Sequence, residues 1–272
     1  MMLPSHIPQS SVVKSTAKAS MKGKEISAII AAMTAVLSLL FLLMLSGGLS
    51  VISSGIMGLG VIAVAAVLFL LVFFPVILGV VRYFWRLTGG ADDGPAEVFF
   101  YFQSLFVWKR AVKAGLFMLF KCFTAMFTCL LPYFIVTVLS NSWIYRFLGT
   151  EVPLWVAGLA LVQSFLHVVG VFAGLAVISR YYLFAAIVVM DDDMLLLEAM
   201  HISVMVSRRS VSSFLALVVA LFGWIILSFL ALPLFYTAPL FFGCYAVHCR
   251  YALVNYNMNL DYYTREQYNA PF

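Results

Sequence analysis

Charge is what this sequence has least of. Only 10% of its 272 residues are Asp, Glu, Lys or Arg, against about 25% in ordinary soluble domains. That shortage excludes a disordered chain and an ordinary soluble enzyme. Paired cysteine is also missing. Cys122, Cys129, Cys244 and Cys249 all lie in apolar runs and form no CxxC pair, which argues against a disulfide framework. Catalytic signatures are missing as well. There is no GxxxxGK[ST], HExxH or GxSxG, so neither a P-loop engine nor a recognisable membrane protease or hydrolase is encoded.

What is present is apolar. Hydrophobic residues make up 64% of the chain, and the mean hydropathy is +1.07. A spanning helix needs about 20 apolar residues. The runs place spans at about 26–46, 56–81, 114–139, 154–179, 212–232 and 236–256. They are continuous and do not alternate with period two, so they read as helices and not as barrel strands. The expected fold is all-α: a polytopic integral membrane bundle of six transmembrane helices in three hairpins. Its domains are a flexible basic tail at 1–25, a membrane domain at 26–256 and a second tail at 257–272. A signal peptide is the rival reading of the N-terminus, but the run 26–45 is longer than the usual apolar core of about 7–15 residues. Pro75 predicts a kink in the second span. Pro233 and Pro239 predict a tight turn between the last two.

Orientation follows from basic residues. With the N-terminus inside, Lys14, Lys18, Lys22, Lys24, Arg82, Arg86, Lys109, Arg110, Lys113, Arg180, Arg208, Arg209, Arg250 and Arg265 face the cytoplasm, 14 of the 16 Lys and Arg. Arg146 sits outside and Lys121 inside the third span. This asymmetry places both termini in the cytoplasm of a multi-pass cell-membrane protein. The net charge of +5 then reflects topology and contact with the bilayer's anionic headgroups, and no nucleic acid is implied. Tyr133, Trp143, Tyr145 and Trp155 form the expected outer aromatic belt. Tyr83, Trp85, Trp108, Tyr181, Tyr182 and Tyr251 form the inner one. The stretch from Leu154 to Met190 would reach about 55 Å as one helix. Residues 181–190 are therefore expected to run along the inner interface or pack against the bundle.

A repeat is visible. Spans two, four and six end in Arg82-Tyr83, Arg180-Tyr181 and Arg250-Tyr251. The first two are followed by Asp92-Asp93 and Asp191-Asp192-Asp193, then an apolar-rich helix, then Lys109-Arg110 and Arg208-Arg209 at equal separation. Two cytoplasmic interfacial connecting helices are expected, at 98–113 and 194–212.

The aspartate clusters have two readings. Hard carboxylates could hold Mg²⁺ and a diphosphate in an intramembrane enzyme. The favoured reading is structural: Asp93 or Gly94 caps a helix that begins at Pro95, and Asp192 or Asp193 caps the second. Gln163, His167, Gly170 and Gly174 share one face of the fourth span. They form either a packing seam or, through a mid-membrane imidazole, a polar pathway. Met118, Cys122, Met126 and Cys129 form a stripe whose soft sulfurs suit Cu(I), although methionine-rich packing explains it better. Cys244 and His248 lie one turn apart, too few ligands for zinc. Lys121 is expected to snorkel. No catalytic residue, metal or cofactor is assigned.

Glu198-Ala199-Met200, Ser203, the pair Arg208-Arg209, Phe222-Gly223-Trp224-Ile225-Ile226-Leu227, and Pro233-Leu234-Phe235-Tyr236 with Pro239 resemble a bacterial multi-pass membrane family known only as domain of unknown function 975. That family is similar in layout to the membrane domain attached to some glycerophosphodiester phosphodiesterases. The resemblance covers about 180–256 and implies a six-span bacterial envelope protein with no assigned activity. The functional expectation is a transport, export or envelope-associated component. The alternative is a non-catalytic scaffold or partner subunit working with other membrane proteins, and an enzyme built on the aspartates is third.

Overall fold

The computed structural model describes residues 8–52, 60, 64–65, 67–91, 93–140, 155–227 and 233–269. Among these the chain is all helical. The α-helices are α1 (Ser10–Met21), α2 (Glu25–Ile52), α3 (Phe74–Thr88), α4 (Leu105–Ser140), α5 (Trp155–Ile178), α6 (Phe184–Met190), α7 (Leu196–Leu227) and α8 (Leu234–Asn269). Two compact units divide it: residues 1–116 with 183–272, and residues 117–182.

Four stretches are long and apolar enough to cross a membrane: Phe69–Thr88, Leu105–Ser140, Leu161–Met190 and Leu196–Gly223. A fifth arises if Ser10–Met21 and Glu25–Phe41, bent by 110°, form one broken span. The segment expected as a sixth span lies in α8 and is not among them, because His248, Arg250 and several tyrosines dilute its hydropathy. Residues 56–59, 61–63 and 66 of the expected second span lie outside the described residues, as do Asp92, Trp143, Tyr145 and Arg146.

In the larger unit α3 is central. Its buried residues run around the whole helix, from Phe74, Val76 and Leu78 to Val80, Val81, Tyr83, Phe84 and Leu87, the pattern of a helix enclosed on every side. It packs against α2, α6, α8 and a 3-10 segment, Pro95–Phe102. From α2 comes a small-residue stripe, Ala28, Ala31, Ala32 and Ala35, all buried, which lets helix backbones approach closely. The Phe84 ring stacks on Phe242 of α8 at 5.7 Å. At Gly79 an added Cβ would collide with the Val98 carbonyl, so glycine is what admits the 3-10 segment. The end of α3 is a Schellman cap. Gly90 adopts φ +88, the Ala91 N–H donates to the Arg86 carbonyl at 3.0 Å, and the Gly90 N–H to that of Leu87 at 3.1 Å.

The expected disturbance at Pro75 takes the form of a π-helical turn, Phe69–Phe73, directly before α3. Proline has no N–H for the carbonyl four residues back, that of Leu71. The Trp108 indole N–H of α4 donates to that carbonyl at 3.0 Å. A side chain thus supplies the donor the backbone lacks.

Two expectations need correction. The basic tail is not wholly free: residues 10–21 form α1, whose stripe Val13, Ala17 and Met21 is buried against α8. Lys14 Nζ donates to the Ala220 carbonyl at 2.9 Å and Lys24 Nζ to that of Ala91 at 3.0 Å. Gly23, at φ +80, makes the elbow into α2. The connecting helices do not stand apart from the spans. After the 3-10 segment and Ser104, whose Oγ accepts from the Val107 N–H at 3.3 Å, α4 runs 36 residues without a break. The second connector is likewise the start of α7, 32 residues long. Neither junction carries a proline, and Gly115 at the first one sits within the continuous helix. Of the two placements expected for the 181–190 stretch, packing is the one seen for residues 184–190: they form α6, among the most enclosed segments of the unit, with Leu183, Phe184, Ala186 and Ile187 fully buried.

The smaller unit is an antiparallel helical hairpin made from the rest of α4 and α5. Most of its large apolar side chains, including Phe120, Phe123, Leu161 and Phe172, are exposed, as lipid-facing residues are.

Candidate functional site

The most polar constellation in the larger unit grows from Arg82 and Arg86, one turn apart on α3. Arg82 Nε donates to Glu97 Oε1 at 2.9 Å and Nη1 to Asp192 Oδ2 at 3.1 Å. The Arg82 guanidinium also lies 3.6 Å from the Phe100 ring centroid, a cation–π contact. Arg86 Nε pairs with Asp93 Oδ2 at 2.5 Å and its Nη1 reaches Glu97 Oε1 at 3.4 Å. One Glu97 oxygen therefore serves two arginines. Gly94 and Pro95 open the 3-10 segment that presents Glu97 and Tyr101 toward α3.

Arg110, on α4, donates through Nη2 to the carbonyls of Asp191 at 2.8 Å and Met194 at 3.1 Å. The Asp191 carboxylate accepts from the N–H groups of Asp193 at 2.9 Å and Met194 at 3.2 Å, closing the turn before α7. Tyr101 is fully buried beside these groups. Desolvation, reinforced by Asp192 and opposed by Arg82 and Arg110, pushes its hydroxyl up to about 12, so it is neutral at physiological pH. Among the described residues that hydroxyl meets no hydrogen-bond partner.

The expected cluster comes together only in part. Arg82, Asp93 and Asp192 share the network. Asp191 caps a turn, and Asp193 contributes only its backbone. Arg250 sits elsewhere in the unit: its Nε donates to Thr88 Oγ1 at 3.1 Å, its Nη2 to the Trp85 carbonyl, and its guanidinium lies 4.3 Å from the Trp85 ring centroid. Arg180 belongs to the smaller unit, in a 3-10 turn. Of the two capping candidates at the first cluster, Gly94 is the N-cap of the segment that begins at Pro95, while Asp93 and Asp192 are ion-paired to arginines. Sequence reasoning left out Glu97, Arg86, Arg110 and Tyr101 as site residues. The signal was there in Arg82/Arg86 and Glu97/Tyr101, two pairs at i, i+4.

In the smaller unit the seam assembles as one face. Gln163 Nε2 donates to Thr137 Oγ1 at 3.1 Å, and the Tyr133 and His167 rings meet edge to face at 4.7 Å. An added Cβ at Gly170 would lie 2.9 Å from the Cys129 carbonyl oxygen, and one at Gly174 would collide with the Met126 sulfur. Met126 and Cys129 therefore serve helix contact. Lys121 Nζ lies 5.6 Å from the Phe117 ring centroid. Among the described residues no three His, Cys, Asp or Glu side chains group to hold a metal ion.

Compared with known proteins, the chain matches no family model, no curated protein and no solved structure.

Proposed function

We propose that this chain is a non-catalytic, multi-pass component of the cell membrane, a scaffold or partner subunit with both termini in the cytoplasm. The observation that carries this reading is the use of the charged residues. Glu97, Asp93 and Asp192 are each ion-paired to Arg82 or Arg86, which fits a structural lock better than a site awaiting Mg²⁺ and a diphosphate. In the full arrangement the chain crosses six times, the sixth within α8, and α1 with α2 forms a broken element at the Gly23 elbow. The one-sided distribution of Lys and Arg supports this orientation.

A transport or export role is the second reading. Gln163 and His167, polar groups within the apolar α5, favour it. Purification from native membranes separates the two. Stoichiometric co-isolation of other membrane proteins supports the scaffold, and a bound solute with an otherwise solitary chain supports transport. Reporter fusions after residues 95, 200 and 268 should read cytoplasm and those near 50 and 148 outside. A cytoplasmic signal at 148 would overturn the topology.

A further inference from the structure

A cavity of about 330 Å³ opens at the α1–α2 elbow against the first turns of α8, lined by residues that include Lys18, Glu25, Ile29, Phe235, Tyr236 and Leu240. The lining combines one cation, one carboxylate and apolar side chains. The Lys18 ammonium lies 5.7 Å from the Tyr236 ring centroid, and Glu25 Oε1 accepts from the Gly23 N–H at 3.0 Å. Apolar side chains of α2 and α8 are exposed: Ile26 is 76% exposed, Ile30 50% and Phe235 47%. A cavity lined by a cation, a carboxylate and apolar groups, on helices with exposed apolar side chains, suits an amphiphile supplied by the bilayer.

We propose that this groove binds one aminophospholipid of the phosphatidylethanolamine class, with its phosphate at Lys18, its ammonium at Glu25 and the start of one acyl chain over Ile29 and Leu240. The charge pattern selects the headgroup. A purely anionic headgroup satisfies Lys18 and faces repulsion from Glu25. A choline headgroup carries its charge without an N–H to donate. Ethanolamine offers both an anion and a charge-assisted donor. The size agrees, since the volume lies at the small end of ligand sites, about 300–1,000 Å³. It holds a headgroup and glycerol and leaves the chains in the bilayer.

The test is native mass spectrometry of the delipidated full-length chain, titrated separately with phosphatidylethanolamine, phosphatidylcholine and phosphatidylglycerol of matched acyl chains. One ethanolamine lipid per chain should be retained at least about fivefold better than either competitor, and Glu25→Gln should shrink that preference to about twofold or less. Lys18→Gln should weaken retention of all three lipids about tenfold. Ile29→Phe, which narrows the groove, should weaken all three with circular dichroism unchanged. Equal retention of the three lipids by the wild type would overturn the proposal, as would a Lys18→Gln variant that binds normally. Glycerophosphoethanolamine, the headgroup without chains, should not compete at equal concentration. If it does, the ligand is a solute and the lipid assignment fails.

Discussion

The hydrogen bond from the Trp108 indole to the Leu71 carbonyl makes a claim that can be isolated. Trp108→Phe keeps an aromatic ring on α4 but removes the only N–H in the side chain. The Leu71 carbonyl would then lose its donor at a place where Pro75 cannot replace it. An unsatisfied carbonyl in an apolar setting costs about 1–3 kcal/mol, and the smaller ring adds roughly 1 kcal/mol of lost burial. The variant should thus be about 2–4 kcal/mol less stable. The two contributions separate in a cycle with Pro75→Ala, which restores a backbone N–H four residues beyond Leu71. In that background the carbonyl no longer depends on Trp108, so Trp108→Phe should cost only its packing term. The coupling energy should be about 1 kcal/mol or more. Reversible unfolding in mixed detergent micelles, followed by circular dichroism, gives all four stabilities. Additivity within about 0.3 kcal/mol would refute the idea that Trp108 completes the hydrogen bonding that proline interrupts.

Three further outcomes are expected. Glu97→Gln removes the carboxylate shared by Arg82 and Arg86 where the Arg82 and Glu97 side chains are 12% and 16% exposed, and should cost about 2–3 kcal/mol. Asp192→Asn touches a side chain 49% exposed and should cost under about 1 kcal/mol; the opposite order in a thermal melt would contradict the network. In the seam, Gly170→Leu and Gly174→Leu should each destabilise by about 1–3 kcal/mol through overpacking, more than His167→Phe, and tolerant glycines with an essential histidine would favour a conducting path. Tyr101→Phe removes a hydroxyl with no partner and should be neutral or stabilising at pH 7. Because the folded hydroxyl ionises at about 12 and the unfolded one near the ordinary tyrosine value of 10.0, its contribution is intact below 10 and is lost as pH rises toward 12. The wild type should therefore lose stability across that window relative to Tyr101→Phe.

Much of the scaffold was legible because its signals are local. Continuous apolar runs mark helices, and Pro75 announced a disturbance where the π-turn lies. Gly170 and Gly174 announced close helix contact four residues apart. The N-terminal stripe of Val13, Ala17 and Met21 was equally local. It was obscured by the serines and lysines between them, which make the segment polar as a whole without disturbing its buried face. The lock at Arg82 was harder to read. Its partners Glu97 and Asp192 lie 15 and 110 positions away, and no periodicity reports a contact at that distance. Trp108 reads as a belt residue, because nothing in its neighbourhood reveals that a carbonyl 37 positions earlier lacks a donor.

The pairing of the two repeats also imposes an order of events on synthesis. The arginines come from the first repeat, and Asp192 and the Asp191 and Met194 carbonyls come from the second. Arg82 leaves the ribosome 110 residues ahead of Asp192, and Arg110 precedes Asp191 by 81. At about 5–20 residues per second the wait lasts on the order of 4–20 s. During that interval Arg82 already has Glu97, its near partner. Arg110 has none of its carbonyl acceptors until the second repeat emerges. The nascent first repeat is therefore a holding state with one arginine secured and one pending, and the turn at Asp191 is the event that releases it. A stalled chain whose residue 191 has not yet left the ribosome should expose Arg110 to chemical labelling, and one with residues up to 200 outside the ribosome should protect it.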